Sequence, residues 1–244
     1  MSDHASPTGK PQEAALQTLL RLIALRDRSM TSRLLAESPS LARQAIEVGA
    51  TREAARAYYF EEIAHYVYAG DTPLHVAAAA YETGIAEELV SRGANVSARN
   101  RRGAEPLHYA VDGIPGSDAW DPESQYATVE FLIKAGANPN SEDKSGVAPL
   151  HRAARTRCAA AVRALLVNGA DALGRNKSGS TPLHLAIQNT GRGGTGSAAS
   201  REEQKEIIRL LLGHGARPSD KNSAGRSVKD CVKADWIREL LSQD

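Results

Sequence analysis

Four copies of one short pattern constrain this 244-residue chain: Thr72-Pro-Leu-His75, Glu105-Pro-Leu-His108, Ala148-Pro-Leu-His151 and Thr181-Pro-Leu-His184. A worn copy, Ser227-Val-Lys-Asp230, closes the series. A Gly-Ala pair recurs at Gly93, Gly136, Gly169 and Gly215, each glycine fifteen residues before the next His or Asp230. From each His to the glycine of its own copy the spacing is 18, 28, 18 and 31 residues. The base unit is therefore 33 residues, with about ten extra in the second copy and thirteen in the fourth. Such a period signals one supersecondary unit stacked on copies of itself, because no single unit can bury its apolar face alone.

Each unit reads as two helices and a turn. The motif Thr supplies an N-cap hydroxyl, and Pro occupies the first helical position, where its missing N–H costs nothing. Small residues follow (Ala77, Ala78; Ala153, Ala154) and allow neighbouring helices to approach closely. A second helix, such as the one over 161–167, ends at a glycine suited to a left-handed stop. Segments such as Arg175-Asn-Lys-Ser-Gly179 then form a tight finger before the next motif.

These residues closely resemble the ankyrin repeat, whose pattern is Gly-x-Thr-Pro-Leu-His-x-Ala with Gly-Ala-Asp/Asn near the end. The resemblance covers residues 70–244 and implies an all-α solenoid of four repeats plus a degenerate C-terminal cap. Glu105 and Ala148 depart from it by replacing the capping Thr, which weakens two helix starts by about 1 kcal/mol each. Lys229 and Asp230 stand where Leu and His belong, as in a solvent-facing end unit. Insertions near 113–122 and 190–201 are the third departure. Both fall between the two helices of a repeat, so they project from the same edge.

Residues 12–69 lack the motif and are expected to form a helical N-terminal cap, preceded by a mobile tail over 1–11. Leu16, Leu19, Leu20 and Ile23 carry a helical period. Ser38-Pro39 and Thr51 look like caps for two more helices ending near Gly49 and Gly70. Aromatic residues make up only 5% of the chain, and five of them fall between Tyr58 and Tyr68. That cluster is expected to seal the cap against the first repeat, and Trp236 with Ile237, Leu240 and Leu241 to seal the far end.

The composition narrows the function. A net charge of +1 gives no global signal for nucleic acid. No apolar run reaches a membrane span, and the polar N-terminus has no secretory signal, which predicts a soluble cytoplasmic protein. Cys158 and Cys231 match no metal or redox spacing. Richness in alanine and arginine points to a GC-rich bacterial source.

The candidate chemistry is sparse. His75, His108, His151 and His184 are motif positions whose rings brace the finger. Glu62 and His65 have the spacing of a di-iron helix, but such sites need a second copy and two further carboxylates, so a surface or capping role is expected. Gly191-Arg-Gly-Gly-Thr-Gly196 matches the dinucleotide fingerprint in letters but lacks the strand–helix context. It reads as a flexible loop, with anion binding beside Arg192 as a weaker alternative. No metal or cofactor is expected.

The resemblance also implies where a partner binds. In ankyrin proteins the finger tips and the exposed face of the first helix line a concave surface. Carried over by register, the partner-binding positions are Arg101, Arg102 and Asp112, then Lys144 and Arg155, then Lys177 and Gln188, with Arg226 at the cap. They form a basic row against an acidic back and edge. Trp120, on the first insertion, either contacts a partner or folds back over neighbouring helices. The expected function is recognition of an acidic surface or segment of a partner protein by a non-enzymatic, monomeric module. The alternative is small-ligand or anion binding, or enzymatic activity, through the inserted loops.

Overall fold

The motif makes its helix by a three-part contact that the histidine completes. Thr72 N–H donates to Nδ1 of His75 (3.1 Å), and the Thr72 hydroxyl meets the same nitrogen at 3.0 Å. Nε2 of His75 lies 3.1 Å from the carbonyl of Ala104 in the next finger. A carbonyl accepts only, so the proton sits on Nε2 and Nδ1 is the acceptor. The same bridge runs from His108 to Val147, His151 to Ser180 and His184 to Arg226. Each motif histidine thus caps its own helix and ties it to the following repeat.

The computed structural model describes residues 9–118, 120–189 and 197–242. The elements are α1 (Gly9–Ala24), α2 (Arg28–Glu37), a hairpin of β1 (Tyr59–Phe60) and β2 (His65–Tyr66), then helix pairs. The pairs are α3 (Pro73–Ala79) with α4 (Thr83–Ser91), α5 (Pro106–Ala110) with α6 (Pro122–Lys134), and α7 (Pro149–Thr156) with α8 (Ala159–Val167). They continue with α9 (Pro182–Ala186) and α10 (Ala198–Gly213), and end in α11 (Val228–Cys231) and α12 (Asp235–Leu240). This is an all-α solenoid of stacked helix pairs. One core of small and branched side chains runs its length, with Ala77, Ala78, Ala153 and Ala154 buried where first helices stack. No helix among the described residues is long and apolar enough to cross a membrane.

Fingers carry their own turn device. Asn100, Asp143, Asn176 and Asn222 each accept with Oδ1 from the backbone N–H groups two and four residues on. One N–H···O bond joins each finger to the last: Arg101 to Ala69, Lys144 to Arg102, Lys177 to Ser145 and Ser223 to Ser178. The stacking is so close that a Cβ added at Gly146 would lie 2.8 Å from the Lys177 nitrogen, and the backbone there already has φ of +70°. Glycine meets both demands.

At the two helix starts without Thr the histidine contact persists. Glu105 N–H donates to His108 (3.1 Å) and Ala148 N–H to His151 (3.4 Å). The hydroxyl contact is what is missing. Ala148→Thr is therefore expected to raise stability by about 1 kcal/mol in urea denaturation; an unchanged midpoint would show that the histidine alone saturates the cap.

The insertions are shared between loop and helix. Helices α6 and α10 begin earlier than α4 and α8, while α5 and α9 stop after five residues each. Asp121 caps α6, and Ser197 caps α10, so the ends of both insertions (113–122, 190–201) are helical. Gly116 lies beside Ser197 and Ala199, which puts the two insertions on one edge. Gly191 to Gly196, with Arg192, lies outside the described residues.

The N-terminal region departs from expectation. Helix α1 buries Leu16, Leu19, Leu20 and Ile23, and packs on α3 as one repeat packs on another. Helix α2, capped by Asp27 through Met30 N–H, packs on α4. Ser38-Pro39 starts a short 3-10 turn rather than a helix, and the expected helix over 51–70 is replaced by the hairpin. The later finger connections run fourteen residues, whereas this one runs thirty-five, from Ser38 to Thr72. Alternation explains the hairpin: Phe60 and Val67 point inward while Tyr59 and Tyr66 face solvent. The aromatic cluster is therefore only partly a seal. At the far end Ile237 and Leu241 are buried, with Trp236 and Leu240 packed against them. Of the expected tail over 1–11, residues 1–8 lie outside the described residues, and α1 begins at Gly9.

Candidate functional site

The finger tips present a row of cations. Arg101 and Arg102 both stack over the Tyr68 ring, at 5.3 and 5.0 Å from its centre. Arg101 also donates to the Ala50 carbonyl, and Arg102 to the Tyr68 hydroxyl at 3.0 Å. Lys177 donates to the Lys144 carbonyl (2.7 Å), spanning two fingers. These contacts are to π faces and carbonyls, so the charges are positioned without being neutralised. Among the described residues none of Arg101, Arg102, Lys144, Lys177, Arg155 or Arg226 forms an ion pair. Arg99, on a finger flank, does pair with a carboxylate, that of Glu105 (3.0 Å).

Carboxylates elsewhere are engaged. Glu82 pairs with Arg28, Glu88 with Arg92 and Glu206 with Arg163. Glu203 accepts the Ala159 N–H at the start of α8.

Between the hairpin and the first insertion lies a cleft of about 290 Å³. Its floor comes from the ends of the first helices in three successive repeats: Ala79 and Tyr81, Asp112, and Arg155 with Thr156. One wall is the hairpin (Ile63 to Tyr66) and the other is the first insertion, including Ile114, Ser117 and Trp120. Two of the register-derived positions, Asp112 and Arg155, and Trp120 of the first insertion therefore meet in one place. Arg101, Arg102, Lys144, Lys177 and Arg226 remain on the fingers, and Gln188 is exposed at the end of α9.

Asp112 does not face solvent freely. Its Oδ2 takes Arg152 Nη1 at 3.2 Å and His65 Nε2 at 3.1 Å. Burial opposes ionisation of this carboxyl, but Arg152 and His65 outweigh it and hold its pKa below the usual range. Glu62 and His65 share no helix face, since His65 lies on β2. Instead the His65 ring stacks on Tyr109 at 4.2 Å, so it belongs to the cleft and not to an isolated surface or cap.

Trp120 folds back over its own repeat. Its indole N–H donates to Gln125 Oε1 (3.1 Å), and its ring lies against Gly113. The buried Gln125 amide then donates to the carbonyls of Ala110 (3.1 Å) and Asp112 (3.3 Å), capping the shortened α5. Gln204 does the same for α9 through Ala186 and Gln188. Sequence reasoning missed both glutamines, although each lies eleven residues before its repeat's Gly-Ala glycine in the two lengthened copies. Cys158, at the same position in the third repeat, is buried and its thiol is pushed up to about 12, too high for a nucleophile.

Comparison with known families agrees with this geometry. The family model of ankyrin repeats (three copies) matches residues 119–223, and the single ankyrin-repeat model matches residues 69–101, together more than half of the chain. No curated protein matches.

Proposed function

The chain belongs to the ankyrin-repeat family, whose repeats generally mediate protein–protein interactions, and on that premise we propose that it binds an acidic surface or segment of a partner protein through its concave face. The observation that carries this reading is the row formed by Arg101, Arg102, Lys144 and Lys177, unpaired with any carboxylate among the described residues and aligned by the finger-to-finger bonds. Arg101, Arg102 and Lys177, already held by carbonyls or the Tyr68 side chain, lose little freedom on binding, which favours affinity. Near-zero net charge supports a protein partner over nucleic acid. The reading is of a non-enzymatic, monomeric module acting in the cytoplasm.

The variant R101E/R102E/K144E/K177E tests this. On an array of immobilised acidic peptides, the native chain is expected to retain a subset whose capture weakens with salt. The variant should lose at least tenfold in affinity for that subset while keeping the native circular dichroism, since all four side chains are exposed. Equal capture by both proteins would overturn the reading.

A further inference from the structure

We propose that the cleft between the hairpin and the first insertion is a binding site for a small organic carboxylate, its acid group held by Arg155 and its apolar body lying against Trp120 and Ile114. The cleft lies beside the finger row but does not depend on it.

Three independent observations carry the assignment. The first is construction. Both walls come from segments that the 33-residue unit lacks, the hairpin in the first finger connection and, in the second repeat, the loop over 113–118 together with Trp120. Two departures from the repeat meet over one concavity, whose volume of about 290 Å³ is near the lower end for small-molecule sites.

The second is where the helices end. Among the described residues four non-glycine residues have positive φ: Arg26 (60°), Ala64 (48°), Tyr81 (56°) and Arg157 (66°). The first three line the cleft, and the fourth directly follows lining residue Thr156. Each of the four closes a helical segment in the left-handed conformation, Arg26 after α1, Ala64 after the 3-10 turn of the hairpin, Tyr81 after α3 and Arg157 after α7, so the ends of these segments converge on the cleft.

The third is charge. Asp112, the one carboxylate lining the cleft among the described residues, is paired with Arg152 Nη1 at 3.2 Å and lies 3.1 Å from His65 Nε2. Arg155 also lines it, so with Asp112 already paired the balance is positive. Arg155 enters no ion pair among the described residues and stands close enough to Asp112 to act on its charge. The carboxyl ends of the short first helices would ordinarily repel an anion. At the end of α5 those carbonyls already accept hydrogen bonds: Tyr81 OH and Gln125 donate to the Asp112 carbonyl, and the Thr156 hydroxyl lies 3.3 Å from the Val111 carbonyl. With those oxygens occupied, the Arg155 guanidinium sets the sign of the ligand.

Trp120 supplies the test, because the chain has only two tryptophans and Trp236 is at the far end. In Trp236→Phe, Trp120 becomes the sole indole reporter. Titration with benzoate is expected to change its fluorescence saturably, whereas benzamide, which keeps the ring without the charge, should not. Arg155→Ala in that background should weaken the benzoate response at least tenfold, with an unchanged thermal midpoint as evidence of folding. R101E/R102E/K144E/K177E in the same background should respond to benzoate like the parent, so failure of the finger-row reading and failure of this one are distinguishable. A capped phenylalanyl-glutamate peptide forms a second arm. A benzoate response without a peptide response assigns the site to free acids, and a tighter peptide response assigns it to an acidic side chain. No saturable change with benzoate or peptide, or an equal response to benzamide, would overturn the proposal.

Discussion

Replacing Asp71 by alanine is expected to lower the stability of the fold by about 3–5 kcal/mol. The carboxylate is fully buried where the hairpin connection meets the first two repeats. Its Oδ1 accepts Asn100 Nδ2 at 2.8 Å, and its Oδ2 accepts the Tyr109 hydroxyl at 2.8 Å and the Tyr68 N–H at 2.6 Å. His75 Nε2 lies 3.7 Å away. Truncation leaves these donors in a site that excludes water, and each unpaired buried donor costs about 1–3 kcal/mol. Burial and the neighbouring Asp71 carboxylate also push the Tyr109 phenol well above its ordinary pKa, so this hydroxyl stays a donor. Asp71→Asn keeps the shape but turns one acceptor into a donor facing Tyr109 and Tyr68, and it is expected to cost nearly as much. Guanidinium denaturation followed by circular dichroism measures both. A loss below about 1 kcal/mol for the alanine variant would show that the network adds little beyond filling space.

The repeat was legible because its chemistry is local and repeated: Pro sets a helix start, His bridges to the next finger, and Asx-x-x-Gly turns the chain. Each requirement left a residue type at a fixed spacing. The region before the first repeat had no such redundancy. Ser38-Pro39 and Thr51 satisfy local cap chemistry, and Thr51 does accept the Ala54 N–H. Tertiary pairing overrides it: Ile46 pairs with Gly70 and Asp71, Ala50 with Val67, and the aromatic run follows the period of two that this pairing imposes. Helix α2 could have been found from Asp27, three residues before Met30. The cleft was half legible. Register gave Asp112 and Arg155, and the insertion gave Trp120, but nothing local brings His65 to a residue forty-seven positions away. Convergence depends on how two insertions fold against each other, and spacing carries no record of that.

Stability is expected to fall steeply as the pH drops from about 6.5 towards about 4, before ordinary carboxylates protonate. Burial lowers the pKa of all four motif histidines, and for His108 burial together with the Arg152 charge brings it to about 4. In the unfolded chain these rings titrate near 6.5. Below that pH the unfolded state takes up protons that the folded state refuses, so acid favours unfolding; above it both states are neutral and the full stability is present. For His108 the difference reaches about 3 kcal/mol at low pH, and the other three histidines add in the same direction. Geometry requires this sign, because Nδ1 must accept the cap N–H and a protonated ring cannot. Asp112 does not confuse the window. Burial works against its ionisation, but Arg152 and His65 prevail, so its contribution disappears only below the ordinary carboxylate range. Urea unfolding between about pH 7.5 and about pH 5 should therefore show a falling midpoint with little change in slope. His108→Asn should flatten that fall by removing one of the four contributions, at some cost in stability at neutral pH. A midpoint that does not move across this range would mean that the rings accept protons without breaking their caps, and the bridge from each histidine to the next finger would not be what holds the repeats in register.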